Sequence, residues 1–185
     1  MTKQGNLVTY VLRLSLTLLA ITAVVALALA GINSITADRI AEIKAEKMHA
    51  AMEKVLPGAK NLQSVAFTDE TGTVKTVYVS EDGFVVEVTP AGFGGAITMM
   101  VGILPDGTVN GVSIVSHTET AGLGSVAGAN TSAGEAFRDQ FVGQSGSLAV
   151  DKDGGTIDSI TSATITSRAV TNGVNAALAA VAGLG

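Results

Sequence analysis

The chain reads as an α+β protein: a single N-terminal transmembrane helix, then an extracytoplasmic domain of antiparallel strands with flanking helices. Three observations predict this. Residues 14–32 run for nineteen positions without a charge. Further on, two pairs of β-branched runs are each separated by a glycine-containing turn signal, the pattern of hairpins. Helical periodicity appears before and after those strands but never alternates with them, which favours α+β over a parallel α/β sheet.

At about 1.5 Å rise per residue, the uncharged run just spans a hydrocarbon core of roughly 30 Å. A cleaved signal peptide is the competing reading, with Ala26-Leu27-Ala28 or Ala28-Leu29-Ala30 as cleavage sites. Signal cores are usually only about 7–15 apolar residues long, so a retained anchor fits better. Lys3 and Arg13 precede the run with no acid, whereas Asp38, Arg39, Glu42, Lys44, Glu46 and Lys47 balance one another just after it. The positive-inside rule then puts the N-terminus in the cytoplasm and the rest outside. The expected division is 1–13 cytoplasmic N-terminus, 14–35 transmembrane helix, 36–58 stalk helix and 59–185 extracytoplasmic domain. Gly31 and the alanines of 26–30 are small enough for close approach of partner helices.

Ile40, Ile43, Met48, Met52 and Val55 make a rough apolar stripe over 36–56, and Pro57-Gly58 ends that helix. Residues 73–80 and 84–89 flank Glu81-Asp82-Gly83; residues 96–104 and 108–116 flank Pro105-Asp106-Gly107. Both pairs read as hairpins, with the partner of the outer edge unassigned. A helix is expected over 131–142, with Phe137 and Phe141 on one face, then a Gly/Ser/Asp connection over 143–155. The last helix is expected to begin near Thr166, with Val170, Val174, Leu178 and Val181 on its buried face.

Composition excludes several classes of function. The net charge is −5 with no dense basic cluster, which argues against a nucleic-acid partner. There is no cysteine, so disulfides, iron–sulfur clusters and thiol catalysis are out within this chain. With five Phe, two Tyr and no Trp, the core must come from Val, Ile, Leu and Ala. A mean hydropathy of +0.46 is high, and the uncharged run accounts for much of it. His117 and Glu119 are too few ligands for a metal centre, so no metal is expected. Gly92–Gly95 lacks the strand–GxGxxG–helix setting of a dinucleotide loop. No G-x-S-x-G elbow is present, so no catalytic nucleophile is assigned.

Just ahead of the last helix, Ser159, Thr161, Ser162, Thr164, Thr166 and Ser167 crowd together after Asp158. One reading is a hydroxyl that caps the first helical turn, with loop filler around it. The other is that hydroxyls, free amides and the positive end of the helix dipole hold a phosphate. Asp158 itself could simply be an acid favoured near a helix N-terminus.

The word Asp158-x-x-Thr161-Ser162-Ala163-Thr164 resembles the flavin-attachment motif of the FMN-binding subunits of Rnf complexes and Na⁺-translocating NADH:quinone reductases, with Ser162 where the family usually has glycine. A second block resembles the flavin-cradling part of the same subunits, in order and spacing: Gly92-Phe93-Gly94-Gly95-Ala96-Ile97, Met100-Val101-Gly102-Ile103, then His117-Thr118-Glu119-Thr120-Ala121-Gly122-Leu123-Gly124. Ala121 stands where proline is typical. The likeness covers about residues 60–180 plus the anchor.

The resemblance implies an extracytoplasmic FMN-binding domain. Its FMN would be covalent, esterified through the phosphate to Thr164, with Thr166 the alternative acceptor and Asp158 recognised by a flavin transferase. Thr161, Ser162 and Ala163 complete the attachment word. Glu119 and Thr120 are expected to hydrogen-bond the ring or ribityl chain, and Gly122 and Gly124 to let backbone approach the ring. Leu123 would give apolar contact, His117 would either tune the flavin or cap its strand, and Ser167 and Arg168 could reach the phosphate. His49 is read as surface.

As a whole, the chain would be an electron carrier in the cell (inner) membrane, in an Rnf-type complex coupling ferredoxin/NAD chemistry to Na⁺ or H⁺ movement. Any substrate site would then belong to the assembly. Expected partners are an iron–sulfur subunit and a second flavin-bearing subunit. Membership of a quinone reductase, a stand-alone flavoprotein and a flavin-free binding or assembly module are the alternatives.

Overall fold

The computed structural model describes residues 3–65, 67, 69 and 71–184. Two compact units divide at residues 46 and 47. The helix α1 (Lys3–Val55) runs unbroken through the expected anchor and stalk, and its last residues, 47–55, belong to the second unit. It is long and apolar enough to cross a membrane. Its leucines, isoleucines and valines stand exposed along residues 7–43. Thr17, Thr22, Ser34 and Thr36 turn their hydroxyls back onto carbonyls three or four residues earlier, so these groups are satisfied within the helix. No glycine–proline break separates residues 35 and 36, which is why anchor and stalk form one element.

The second unit is built on a five-stranded antiparallel meander in the order β1-β2-β3-β4-β5. The strands are β1 (Gln63–Val65), β2 (Val74–Ser80), β3 (Gly83–Val88), β4 (Thr98–Ile103) and β5 (Val109–Ser116). Both predicted hairpins are present, β2 with β3 and β4 with β5, and β3 pairs with β4 between them. The unassigned edge is β1, three exposed residues paired to β2.

Alternation along the strands makes two cores. On one face Val77, Val86, Val88, Met99, Val101, Ile103 and Val112 pack with Phe137 and Phe141, and with Val170, Val174 and Ala177. These aromatics lie on or just after α2 (Ser132–Asp139), their rings edge-to-face at 5.6 Å, while the aliphatic residues belong to α3 (Thr164–Ala182). On the other face Val85 and Met100 pack with Ala51, Met52, Val55 and Leu56. Gly102 and Gly111, directly paired, leave a flat place for the last turn of α1. A Cβ at Gly102 would run into the Val55 carbonyl, and Asn110 donates its side-chain amide to that same carbonyl at 2.8 Å.

Boundaries differ from expectation in three places. The helix expected over 131–142 stops at Asp139, and Gln140–Gly143 continue as turns. The connection 143–155 contains a short 3-10 turn, Asp151–Asp153, and a parallel bridge from Val150 to Ile157. Helix α3 starts at Thr164, two residues before Thr166, and no side chain caps it.

Candidate functional site

Three loops meet at the N-terminus of α3. The first joins β3 to β4 and is closed on itself by the Gly92 amide donating to Gly95 O (2.7 Å) and the Ile97 amide donating to Pro90 O (2.9 Å). Its tip lifts Phe93 into solvent, 68% exposed. The second follows β5 and ends in a 3-10 turn, Gly124–Gly128. The third is the hydroxyl-rich approach to α3 itself.

Glu119 ties them together. Its carboxylate is buried; Oε1 accepts the Gly94 amide at 2.8 Å, and Oε2 accepts the hydroxyl of Thr166. Thr118 adds a second link to the first loop, its hydroxyl donating to Gly94 O at 2.9 Å. This explains the glycines in both words. A Cβ at Gly92 would strike the Glu119 carboxylate, one at Gly94 would strike Thr118 O, and one at Gly124 would sit 2.5 Å from Thr166 Oγ1 and 2.6 Å from Glu119 Oε2. The glycines make room for a buried carboxylate.

The result is a half-open cleft of about 370 Å³, lined by Phe93, Glu119, Thr120, Leu123, Gly124 and the run Ser162–Thr166. Leu123 and Ile165, 42% and 49% exposed, join Phe93 in an apolar rim. At the floor, the amides of Thr164, Ile165 and Thr166 donate to no backbone carbonyl among the described residues; the first such bond in α3 is Ser167 N–H to Ala163 O at 3.0 Å. Those are the orphan donors of a helix start, aimed where an anion is favoured. Thr164, the first helical residue, is half-buried.

Upstream, the backbone is pinned by side chains. Gln140 grips Asp158 twice, accepting its amide at 2.6 Å and donating to its carbonyl at 3.2 Å. Asp151 accepts the Ser159 amide at 3.0 Å, and bonds from Lys152 and Ser159 hold that carboxyl well below its usual range. Ser162 then adopts φ 61, in the left-handed region. Glycine enters that region freely and serine with strain, so Ser162→Gly is expected to stabilise the domain by about 0.5–1 kcal/mol. Denaturant unfolding would reveal it; an unchanged midpoint would mean the serine hydroxyl compensates.

Of the residues singled out from sequence, the cleft brings together Glu119, Thr120, Leu123, Gly124, Ser162, Ala163, Thr164 and Thr166. Thr161, Gly122 and Asp158 are exposed and lie outside its lining. His117 also lies outside it: its ring faces Gly128, and Nδ1 accepts the Glu119 amide at 3.3 Å. Ser167 and Arg168 do not reach it either. Ser167 is buried, donating to Ala163 O and accepting from the Ile160 amide, while Arg168 forks onto Asp153 and holds that carboxyl below its usual value. Sequence reasoning leaves Phe93 and Ile165 out of the site; the signal for Phe93 is a large aromatic in a glycine loop. His49 is exposed, as expected.

A larger hollow of about 690 Å³ lies between Phe84, Ile103, Asn175 and Leu178, but among the described residues Asp106 is the sole titratable group on its walls. Among the described residues no group of His, Cys, Asp or Glu is placed to hold a metal ion.

Residues 92–179 match the model of a family described as an FMN-binding domain. The chain is 34% identical to the G component of the Na(+)-translocating ferredoxin:NAD(+) oxidoreductase complex of Acetobacterium woodii, covering 89% of this chain and 88% of that one. It is 31% identical to the G component of an ion-translocating oxidoreductase complex of Methanosarcina acetivorans, covering 88% and 89%. Over 99 residues it is 46% identical to the G component of the proton-translocating ferredoxin:NAD(+) oxidoreductase complex of Clostridium ljungdahlii, about half of each chain.

Proposed function

The chain belongs to the family of G components of ion-translocating oxidoreductase complexes, and from that premise we propose that it is the membrane-anchored, FMN-carrying electron-transfer subunit of an Rnf-type assembly. FMN is attached covalently, its phosphate esterified to Thr164 Oγ1. The observation that carries this is the convergence of both glycine words on the N-terminus of α3, where Thr164 opens into the cleft.

The residues present fit the group. A cleft of about 370 Å³ falls at the low end of the roughly 300–1,000 Å³ of ligand pockets, and its open side suits a cofactor that must pass electrons to partners. The three unpaired amides of Thr164, Ile165 and Thr166 take the phosphate oxygens with help from the helix dipole. Phe93, Leu123 and Ile165 give the ring apolar contact, and Thr120 and Ser162 offer hydroxyls to its polar atoms and the ribityl chain. Thr164 is favoured over Thr166 as acceptor because Thr166 is 2% exposed and its hydroxyl is already donated to Glu119. His117 braces the second loop at Gly128. FMN supplies reversible one- and two-electron transfer; the protein anchors, orients and tunes it.

In this reading α1 crosses the membrane once, with the N-terminus cytoplasmic and the FMN domain outside, and no substrate site exists in the subunit itself. Electrons arrive from and leave to other subunits, an iron–sulfur subunit and a second flavin-bearing subunit.

A flavin transferase matures the chain, reading Asp158 through its exposed carboxylate. Asp158→Ala should lower flavin loading at least about tenfold while leaving Thr164 and the fold intact, since Gln140 grips only the backbone there. Unchanged loading would remove Asp158 from recognition. The decisive experiment is the intact mass of the chain from its native host, with peptides spanning 153–168. A gain of one FMN less one water, on Thr164, is expected. An unmodified mass from cells that possess the transferase would overturn the reading.

A further inference from the structure

Resting on the reading that FMN sits in this cleft, we propose that Glu119 holds an unneutralised negative charge in the cleft wall and thereby keeps the reduction potential of the flavin low. Glu119 is 8% exposed, and both its oxygens accept from neutral donors, the Gly94 amide and the Thr166 hydroxyl. Acceptance at both oxygens is the pattern of an ionised carboxylate. No lysine, arginine or histidine side chain among the described residues pairs with it. The nearest imidazole, His117, is turned to the Glu119 backbone amide instead.

Burying a carboxylate without a cation is costly, and glutamine would fill the same space without a charge. A residue that breaks this rule while lining the cofactor cleft points to a functional charge. Two-electron reduction of FMN takes up one proton and leaves the anion FMNH⁻. A fixed negative charge nearby opposes that anion, more strongly because the cleft wall is poorly solvated. The electrons come from a low-potential reductant, dithionite with mediators in the assay.

The test is a spectroelectrochemical titration of the full-length flavinylated chain. For Glu119→Gln, the ratio of reduced to oxidised flavin at a fixed potential should rise about tenfold, or about 30 mV for a two-electron couple. Thr166→Val removes the same hydrogen bond but keeps the charge, so its ratio should stay within about threefold of the parent or fall. Glu119→Asp, which keeps the charge, should resemble the parent in direction. An unchanged potential in Glu119→Gln, or an equal rise in Thr166→Val, overturns the proposal. Should Glu119→Gln carry no flavin, Glu119→Met, uncharged and of similar length, is titrated in its place with the same tenfold rise expected; an unchanged ratio in it, or a rise beyond threefold in Thr166→Val, overturns the proposal. A parent chain that carries no covalent flavin at all would count against the FMN reading instead, so the two failures are told apart.

Discussion

Thr164→Ala is expected to yield a chain that folds and inserts normally but carries no covalent flavin. In the folded protein the Thr164 hydroxyl is idle. Its Oγ1 makes no hydrogen bond among the described residues, unlike Thr166, Ser167 and Thr171, whose hydroxyls are all engaged and buried. The residue opens α3, where alanine is at least as good a helix former, and the helix is held by Val170, Val174 and Ala177 further along. Stability should therefore change by no more than about 0.5 kcal/mol. Flavin fluorescence in a denaturing gel should vanish, because an ester survives denaturation and a bound flavin does not. Thr166→Ala is the informative contrast. It leaves the Glu119 carboxylate short of a donor and costs about 1–3 kcal/mol, yet the fluorescent band remains. A band that survives Thr164→Ala and is lost in Thr166→Ala would move the attachment to Thr166.

The parts of this protein that can be read from sequence are those whose cause is local. Strands β2 to β5 announce themselves by β-branched runs and by the turns at Gly83 and Gly107, both at positive φ. Strand β1 does not, since three exposed residues owe their conformation to pairing with β2 rather than to their own pattern. The start of α3 lies two residues ahead of its expected place for a related reason. Its N-cap is Ala163, without a side-chain bond, so the hydroxyls that look like caps are not caps.

The site follows the same division. Its attachment word and its glycine words stand out as resemblances, but the reason for the glycines is not local. Glu119 meets Gly94 across 25 residues and Thr166 across 47, and no spacing rule links them. Likewise His117 and Arg168 have residue types that suit a flavin phosphate or ring, yet strand direction and the Asp153 carboxylate take them elsewhere. Residue type proposes chemistry; long-range packing decides which groups share the cleft.

A single methyl at Gly124, which lines the cleft, does its harm at the tie between Glu119 and Thr166. Its Cβ would lie 2.5 Å from Thr166 Oγ1, 2.6 Å from Glu119 Oε2 and 3.0 Å from Glu119 Cβ, against two side chains at once. None of these is the free end of a flexible chain, because Glu119 is fixed by Gly94 and Thr166 belongs to the first turn of α3. Accommodating the methyl means breaking the Glu119–Thr166 bond and spreading the second loop from the helix. Overpacking and the lost buried bond together amount to about 2–5 kcal/mol. Flavin loading should fall as well, since the displaced loop carries Thr120 and Leu123. Gly122→Ala, two residues away, tests whether any glycine change does the same. There the Cβ meets nothing within 4 Å and only the φ of 76° is strained, so the loss should be about 1 kcal/mol and loading unaffected. Removing the clashing hydroxyl should then relieve Gly124→Ala: combined with Thr166→Ala, the pair should be at least about 0.5 kcal/mol more stable than the sum of the single losses. Losses that simply add would mean that Gly124 is required for some reason other than the room it leaves for Glu119 and Thr166.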